Sequence, residues 1–384
     1  MNQRPTTSVQ ARRDAIDGAQ CVVVKVGTRV LTGPDGKLDR RRIDVLSGAL
    51  CRIADTGRQV LMVSSGAVGA GLGKLGLEHR PTGLSQLQAI AAIGQTDLIQ
   101  AYETALSAQG RHAAQVLLTA ADLRRRKGYL NVRNALRQIH AFGAIAVINE
   151  NDSVAVSELK TTFGDNDRLA AQVAGLLVDA IVIILSDIEG LFDGHPNDKA
   201  SRRIDVVDSI DETVLGFADD KKSNSSKGGM ASKLKAAELA TSHGHPVIIA
   251  PGRDDDVLDK IFAGEPIGTL FLPLENNIRG RRRWIGAAAH LGGSLQLDAG
   301  AANALINRGS SLLAVGVTGV VGSFGAGSIV AMLDPDGKEI ARGLCNYRSS
   351  DVLKILGQPS DRISDLLGKS SYENVVHRDN LVLS

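Results

Sequence analysis

Aromatic residues make up only 3% of this 384-residue chain, and it holds just three cysteines. With one Trp, four Tyr and seven Phe, it is poorly supplied with rings for stacking single-stranded bases. Cys21, Cys51 and Cys345 stand at unrelated spacings, with no Cys-x-x-Cys and no Cys/His grid. Neither a disulfide framework nor a zinc site is indicated, and a reducing, cytoplasmic compartment fits. The N-terminus is polar, and no apolar stretch reaches the roughly 18 residues that a membrane helix needs, so no membrane span is expected. Excess charge is missing too. Lys and Arg number 44 against 42 Asp and Glu, so nothing global demands nucleic acid or an acidic membrane surface.

What is present is a recurrent unit. A helix-like stretch ends in a glycine, and one to three residues later an apolar run begins. Gly57 precedes Val60–Val63, Gly110 precedes Ala113–Leu118, Gly143 precedes Ala144–Ile148, and Gly244 precedes Val247–Ala250. Glycine just past a helix end accepts the left-handed conformation that other residues resist. These runs are continuously apolar, as in strands covered on both faces. With Cys21–Val26 and Ala180–Leu185 added, residues 1–274 read as a three-layer α/β/α sandwich around a mostly parallel sheet. Residues 275–283 are polar and basic, with Arg279, Arg281, Arg282 and Arg283, and read as a linker. Residues 284–384 change grammar. Short β-like pieces (Leu312–Val317, Ser328–Leu333, Ile340–Leu344) alternate with turns at Gly319, Gly322, Gly325 and Gly327, and a helix is expected over Ala299–Arg308. That is a small, mainly β, barrel-like domain. Residues beyond about Leu367 read as a polar tail, loosely ordered or covering this module.

The strand ends carry the chemistry. Lys25 sits in an otherwise apolar strand before Gly27-Thr28. A lysine is almost never buried without a partner, so it should reach an anion; the alternative is an edge strand from which it snorkels. Ser64-Ser65-Gly66-Ala67 opens a glycine-rich stretch through Gly69, Gly71 and Gly73, suited to close approach of a ligand. Gly71-Leu72-Gly73-Lys74-Leu75-Gly76 is formally a dinucleotide fingerprint, but it begins eight residues past its strand and is set aside. Asn149-Glu150-Asn151-Asp152 and Gly164-Asp165-Asn166-Asp167 form two acid–amide knots, and Ser186-Asp187 ends another strand. Lys227-Gly228-Gly229-Met230-Ala231-Ser232-Lys233 leads into a helix whose first N–H groups suit phosphate. Two lysines, glycine-rich turns and an acid–amide cluster are the inventory of phosphoryl transfer. An aspartate between the two lysines would orient them and keep both charged.

Taken in order, these motifs resemble the amino-acid kinase superfamily. Within it they resemble the glutamate 5-kinase family most closely, over about residues 18–360. Gln115–Thr119 and Tyr129–Arg133 add to the likeness, and the C-terminal module resembles a PUA domain, named from RNA-modifying enzymes. The resemblance implies ATP-dependent phosphorylation of the γ-carboxylate of L-glutamate, the first step of proline synthesis, with Mg2+ carried largely by the nucleotide phosphates. By that similarity Lys25 and Lys233 stabilise the transferring group and Asp167 organises them. Ser65, Asp152 and Asn166 bind glutamate; Ser186, Asp187 and the turn of Lys227, Gly228, Gly229, Met230, Ala231, Ser232 and Lys233 hold ATP, together with Lys25. It also implies a homo-oligomer, feedback inhibition by proline, and glutamyl phosphate reductase as the next enzyme.

Lys227 departs from the family, which usually has a small or hydroxyl residue there, and Thr161-Thr162 differs from the expected segment. Two other readings stay open. One is a kinase for N-acetylglutamate or aspartate, which the acids Glu150, Asp152 and Asp165 disfavour against a free α-ammonium. The other is an RNA-binding role for the C-terminal module, supported weakly by its excess of three positive charges after residue 275; RNA is not expected as a partner.

Overall fold

A computed structural model describes residues 8–33, 35–124, 126–154, 165–195, 198, 200–218, 229–273, 291–368 and 372–383. The chain divides into two compact units, Met1–Ile278 and Arg279–Ser384. The expected linker at 275–283 lies outside the described residues.

The first unit is built on an eight-stranded sheet: β1 (Cys21–Val26), β2 (Gln59–Val63), β3 (Ala113–Leu118), β4 (Ile145–Glu150), β5 (Ala180–Ser186), β6 (Val206–Val207), β7 (Val247–Pro251) and β8 (Thr269–Phe271). Their spatial order is β3-β4-β2-β1-β5-β7-β8-β6. All pairings are parallel except β7 with β8. The glycine grammar is confirmed in the backbone: Gly57, Gly110, Gly143 and Gly244 have φ of 87°, 75°, 72° and 88°. Each closes a helix that the next strand leaves.

Strand β1 is central, and its side chains alternate between the faces. Val22, Val24 and Val26 enter a core with the helices Arg40–Asp55 and Leu84–Ser107. Cys21 and Val23 enter the opposite core, which holds Leu169 to Ala174 from the helix Asp165–Ala174 and Leu234 to Ala240 from the helix Met230–Ser242. Alternation therefore sends Lys25 to the second face. The central position of β1 rules out a snorkelling edge lysine.

The glycines after Ser65 serve a different purpose from the one expected. Gly66, with φ of 97°, caps the helix Ala67–Leu75, and Gly71 and Gly73 lie inside that helix. A Cβ at Gly71 would come 2.1 Å from the carbonyl oxygen of Ile90, and one at Gly94 would come 1.9 Å from that of Ala67. These two glycines let two helices touch backbone to backbone, a packing role rather than a ligand cradle.

In the second unit five strands lie in the order β10-β9-β11-β12-β13: β9 (Gly293–Leu297), β10 (Val317–Val321), β11 (Ile329–Leu333), β12 (Glu339–Cys345) and β13 (Val376–Leu383). The helix Ala299–Arg308 forms as expected, capped by the Asp298 side chain, which accepts from the Ala301 N–H. Three expectations change. The run Leu312–Val317 is not a strand: Leu312 makes one isolated bridge, Ala314–Gly316 is a 3-10 turn, and β10 starts at Val317. An apolar run alone does not separate strand from turn. Gly319 is not a turn but a residue of β10, where the register shifts after Val317. The polar tail contributes β13, antiparallel to β12.

Candidate active site

Four neighbouring strands, β4, β2, β1 and β5, end at one rim of the sheet. Their carboxyl ends deliver Asn149, Ser64 with Ser65, Lys25, and Ser186 with Asp187. The chain reverses direction across the sheet here, since β1 is flanked by β2 on one side and β5 on the other. Such a switch point is where open α/β sheets bind ligands.

At this rim Lys25 Nζ lies 2.6 Å from Asp167 Oδ1. Lys233 Nζ lies 3.3 Å from Asp167 Oδ2. The three come from β1, from the first turn of the helix Asp165–Ala174 and from the first turn of Met230–Ser242. All are buried, with Asp167 only 1% exposed. Burial by itself would raise the Asp167 carboxyl, but Lys25 and Lys233 outweigh it and hold the group below the usual carboxylate value. Burial pulls the Lys25 ammonium below 10.5; Asp167 opposes this shift and Lys233 reinforces it. Two ammonium groups on one carboxylate leave a positive charge in excess. A buried excess charge is costly unless compensated, so the cluster is suited to an anion.

Beside the charges runs a chain of amides. Asn166 Nδ2 lies 2.8 Å from the Ser64 carbonyl oxygen, 2.9 Å from Ser65 Oγ and 3.2 Å from Asn149 Oδ1, sharing its two protons among these acceptors. Asn149 Nδ2 in turn donates to Gln95 Oε1 at 2.8 Å. Ser64 Oγ is 3.1 Å from the Tyr102 hydroxyl. Burial pushes that hydroxyl up to about 12, so it stays neutral. Asp152 follows β4 and lines a cavity of about 310 Å³ with Gln95, Thr96, Gln115 and Glu150.

The helix Met230–Ser242 begins after Gly229, and Ser232 Oγ is 3.3 Å from Asp167 Oδ2. Met230 and Ala231 occupy its first turn, where free N–H groups and the helix dipole favour a phosphate. Ser186 Oγ donates to Asp187 Oδ1 at 3.1 Å, and Asp187 Oδ2 accepts from Arg29 at 2.7 Å. Lys227, Gly228, Thr161 and Thr162 lie outside the described residues, as does the Asp165 side chain. Sequence reasoning placed Lys25, Asp167 and Lys233 together, and Ser65 with Asn166. It overlooked Gln95 and Arg29. Gln95 left a signal, a polar side chain on the buried face of Leu84–Ser107 between Ala91 and Leu98. Arg29 left none, because it meets Asp187 only through the pairing of β1 with β5.

The chain is similar to known proteins along nearly its whole length. The amino acid kinase family matches residues 20–251, and the PUA domain matches residues 293–367. A glutamate 5-kinase of Rhodopirellula baltica is 61% identical over 372 residues, covering 97% of this chain and 96% of that one. A glutamate 5-kinase of Moorella thermoacetica is 44% identical over 97% of this chain and 98% of its own. One from Caldanaerobacter subterraneus is 45% identical over 94% and 97%. With a family match across most of the first unit and relatives aligned along nearly the whole length, the chain belongs to the amino acid kinase family, among the glutamate 5-kinases.

Proposed function

We infer that the protein transfers the γ-phosphoryl group of ATP to the γ-carboxylate of L-glutamate, giving γ-glutamyl phosphate and ADP. The observation that carries this reading is the buried Lys25–Asp167–Lys233 cluster, in which two cations converge on one carboxylate. The glutamate 5-kinase relatives supply the substrate.

The acceptor explains what the site contains. A glutamate carboxylate has lost its proton at neutral pH, with an ordinary pKa of about 4.3, so its oxygen can attack phosphorus without a general base. One O–P bond forms as the bond to the β-phosphate oxygen breaks, and ADP leaves with the electron pair. The remaining task is to bring two anions together and stabilise spreading negative charge. Lys25 and Lys233 do this, and Asp167 fixes their direction. Ser65, Asn166 and Asp152 hold glutamate, with Asp152 facing its ammonium. Ser186, Asp187 and the turn through Lys227, Gly228, Gly229, Met230, Ala231 and Ser232 hold the nucleotide.

Mg2+ is a hard cation that prefers water and phosphate oxygens, so it would be carried by the ATP phosphates and would offset their negative charge. The donor set fits a nucleotide–metal complex: the lysines and the helix N–H groups would hold phosphate oxygens and leave the metal on the nucleotide. A homo-oligomer, inhibition by proline at the glutamate site, and hand-off of the labile acyl phosphate to glutamyl phosphate reductase accompany this reading. Among the described residues no helix is long and apolar enough to cross a membrane.

The test is ADP release with L-glutamate, N-acetylglutamate and aspartate in parallel, with and without proline. Turnover that favours glutamate is expected. Equal or better turnover of either competitor overturns the substrate assignment.

A further inference from the structure

We propose that Gln95 is a specificity-determining residue that reads the α-carboxylate of the substrate, a step that rests on the glutamate kinase reading above. Two backbone groups fix the direction of the amide chain. The Glu150 N–H can only donate, and it donates to Asn149 Oδ1 at 2.9 Å. Asn149 Nδ2 is therefore turned the other way, toward Gln95, whose Oε1 must accept. What remains is Gln95 Nε2, a buried donor without a hydrogen-bond partner on a residue only 8% exposed. The same logic holds at the other end. The Ser64 carbonyl can only accept, so it takes the Asn166 Nδ2 proton and leaves Asn166 Oδ1 partnerless.

A buried donor with nothing to bond costs stability, and the neighbouring positions Ala91 and Leu98 are filled by apolar side chains. Gln95 also lines the cavity of about 310 Å³ that Asp152 borders. That volume is at the small end of ligand sites, the size class of an amino acid rather than of a nucleotide. A ligand end that suits these walls must offer an acceptor to Gln95 Nε2 and a cation to the Asp152 carboxylate. The α-carboxylate and α-ammonium of an amino acid do both. The second carboxylate then extends toward the lysines, with Asn149 and Asn166 bridging the distance.

The experiment uses the full chain and the variant Gln95→Glu, which keeps an oxygen for Asn149 and replaces the donor with a second oxygen. ADP release is measured with L-glutamate and with its α-amide, whose N–H groups can donate to the new carboxylate. The expected result is a glutamate KM raised about tenfold or more, an ATP KM within about twofold of wild type, and a kcat/KM ratio of α-amide to glutamate raised about tenfold. A ratio within about twofold of wild type overturns the proposal, even where both activities fall, because a purely structural role lowers both alike. Should Gln95→Glu fail to fold, Gln95→Met is titrated with glutamate and with ATP by calorimetry. Loss of glutamate affinity alone supports the assignment, and unchanged glutamate affinity overturns it. Wild-type enzyme without glutamate turnover fails the kinase reading itself and takes this proposal with it.

Discussion

Lys25 Nζ approaches Asp167 Oδ1 to 2.6 Å across 142 positions of sequence, from a strand to the first turn of a helix on the same face of the sheet. Lys233 reaches the other oxygen of that carboxylate. The arrangement concentrates two positive charges on one small, buried volume.

Lys25→Ala and Lys233→Ala are each expected to lower turnover on the order of 10²–10³, as loss of a group acting mainly on the transition state does. ADP release checks this. Near-normal turnover in either variant removes that lysine from the chemistry. Stability should follow a different order. Asp167→Ala leaves two buried ammonium groups facing each other and should cost about 3–5 kcal/mol, more than either lysine variant. Urea midpoints at constant m-value check the ranking.

The pH profile follows from the same cluster. Lys25 titrates below 10.5 because of burial, opposed by Asp167. Its charge is present at low pH and lost as pH rises through its folded value. The alkaline limb of kcat/KM for ATP, which reports the free enzyme, should therefore fall below the ordinary lysine range. In Asp167→Asn, with the opposing charge removed, the residual activity should fall at still lower pH. An alkaline limb that stays in place in Asp167→Asn contradicts the coupling.

Asp167 has the opposite stability signature. Its folded pKa is depressed, so the stability it contributes is complete above the unfolded carboxylate value of 3.8 and lost as pH falls through the lower folded value. Stability contributed by this group should thus be flat from about pH 5 to 8. Denaturant titrations of wild type and Asp167→Asn at several pH values read the difference directly.

Asp152→Ala should weaken glutamate binding strongly while ATP affinity is kept, since Asp152 borders a cavity whose lining includes no residue of the helix Met230–Ser242 assigned to phosphate. An unchanged glutamate KM contradicts the assignment.

Gly94→Ala should destabilise by about 1–3 kcal/mol or more, because its Cβ would overlap the Ala67 carbonyl oxygen at 1.9 Å. Gly216→Ala is the control: nothing lies within 4 Å of a Cβ there, and its effect should stay within about 0.5 kcal/mol. Equal effects at the two positions would dismiss the backbone contact between the helices.

Much of the first unit was legible because its signals are local. Continuous apolar runs gave β1 and β3 at their observed bounds, and the glycines before β2, β3, β4 and β7 marked where helices stop. The second unit was less legible. Leu312–Val317 is apolar without being a strand, and β13 lies in a tail whose composition reads as loop. Gly71 looked like part of a ligand loop because spacing does not tell a helix interior from a turn.

The residue types were settled by the chain alone: lysine inside an apolar strand, serines and amides where strands end, a Gly-Met turn opening a helix. Those are properties of neighbours in sequence. Which of them meet was decided by the strand order β4-β2-β1-β5 and by the alternation that turns Lys25 toward the helices carrying Asp167 and Lys233. The direction of the Gln95 amide was decided there too, because it depends on the Glu150 N–H and the Ser64 carbonyl. Packing brings those groups together from distant parts of the chain, and no local pattern encodes that meeting.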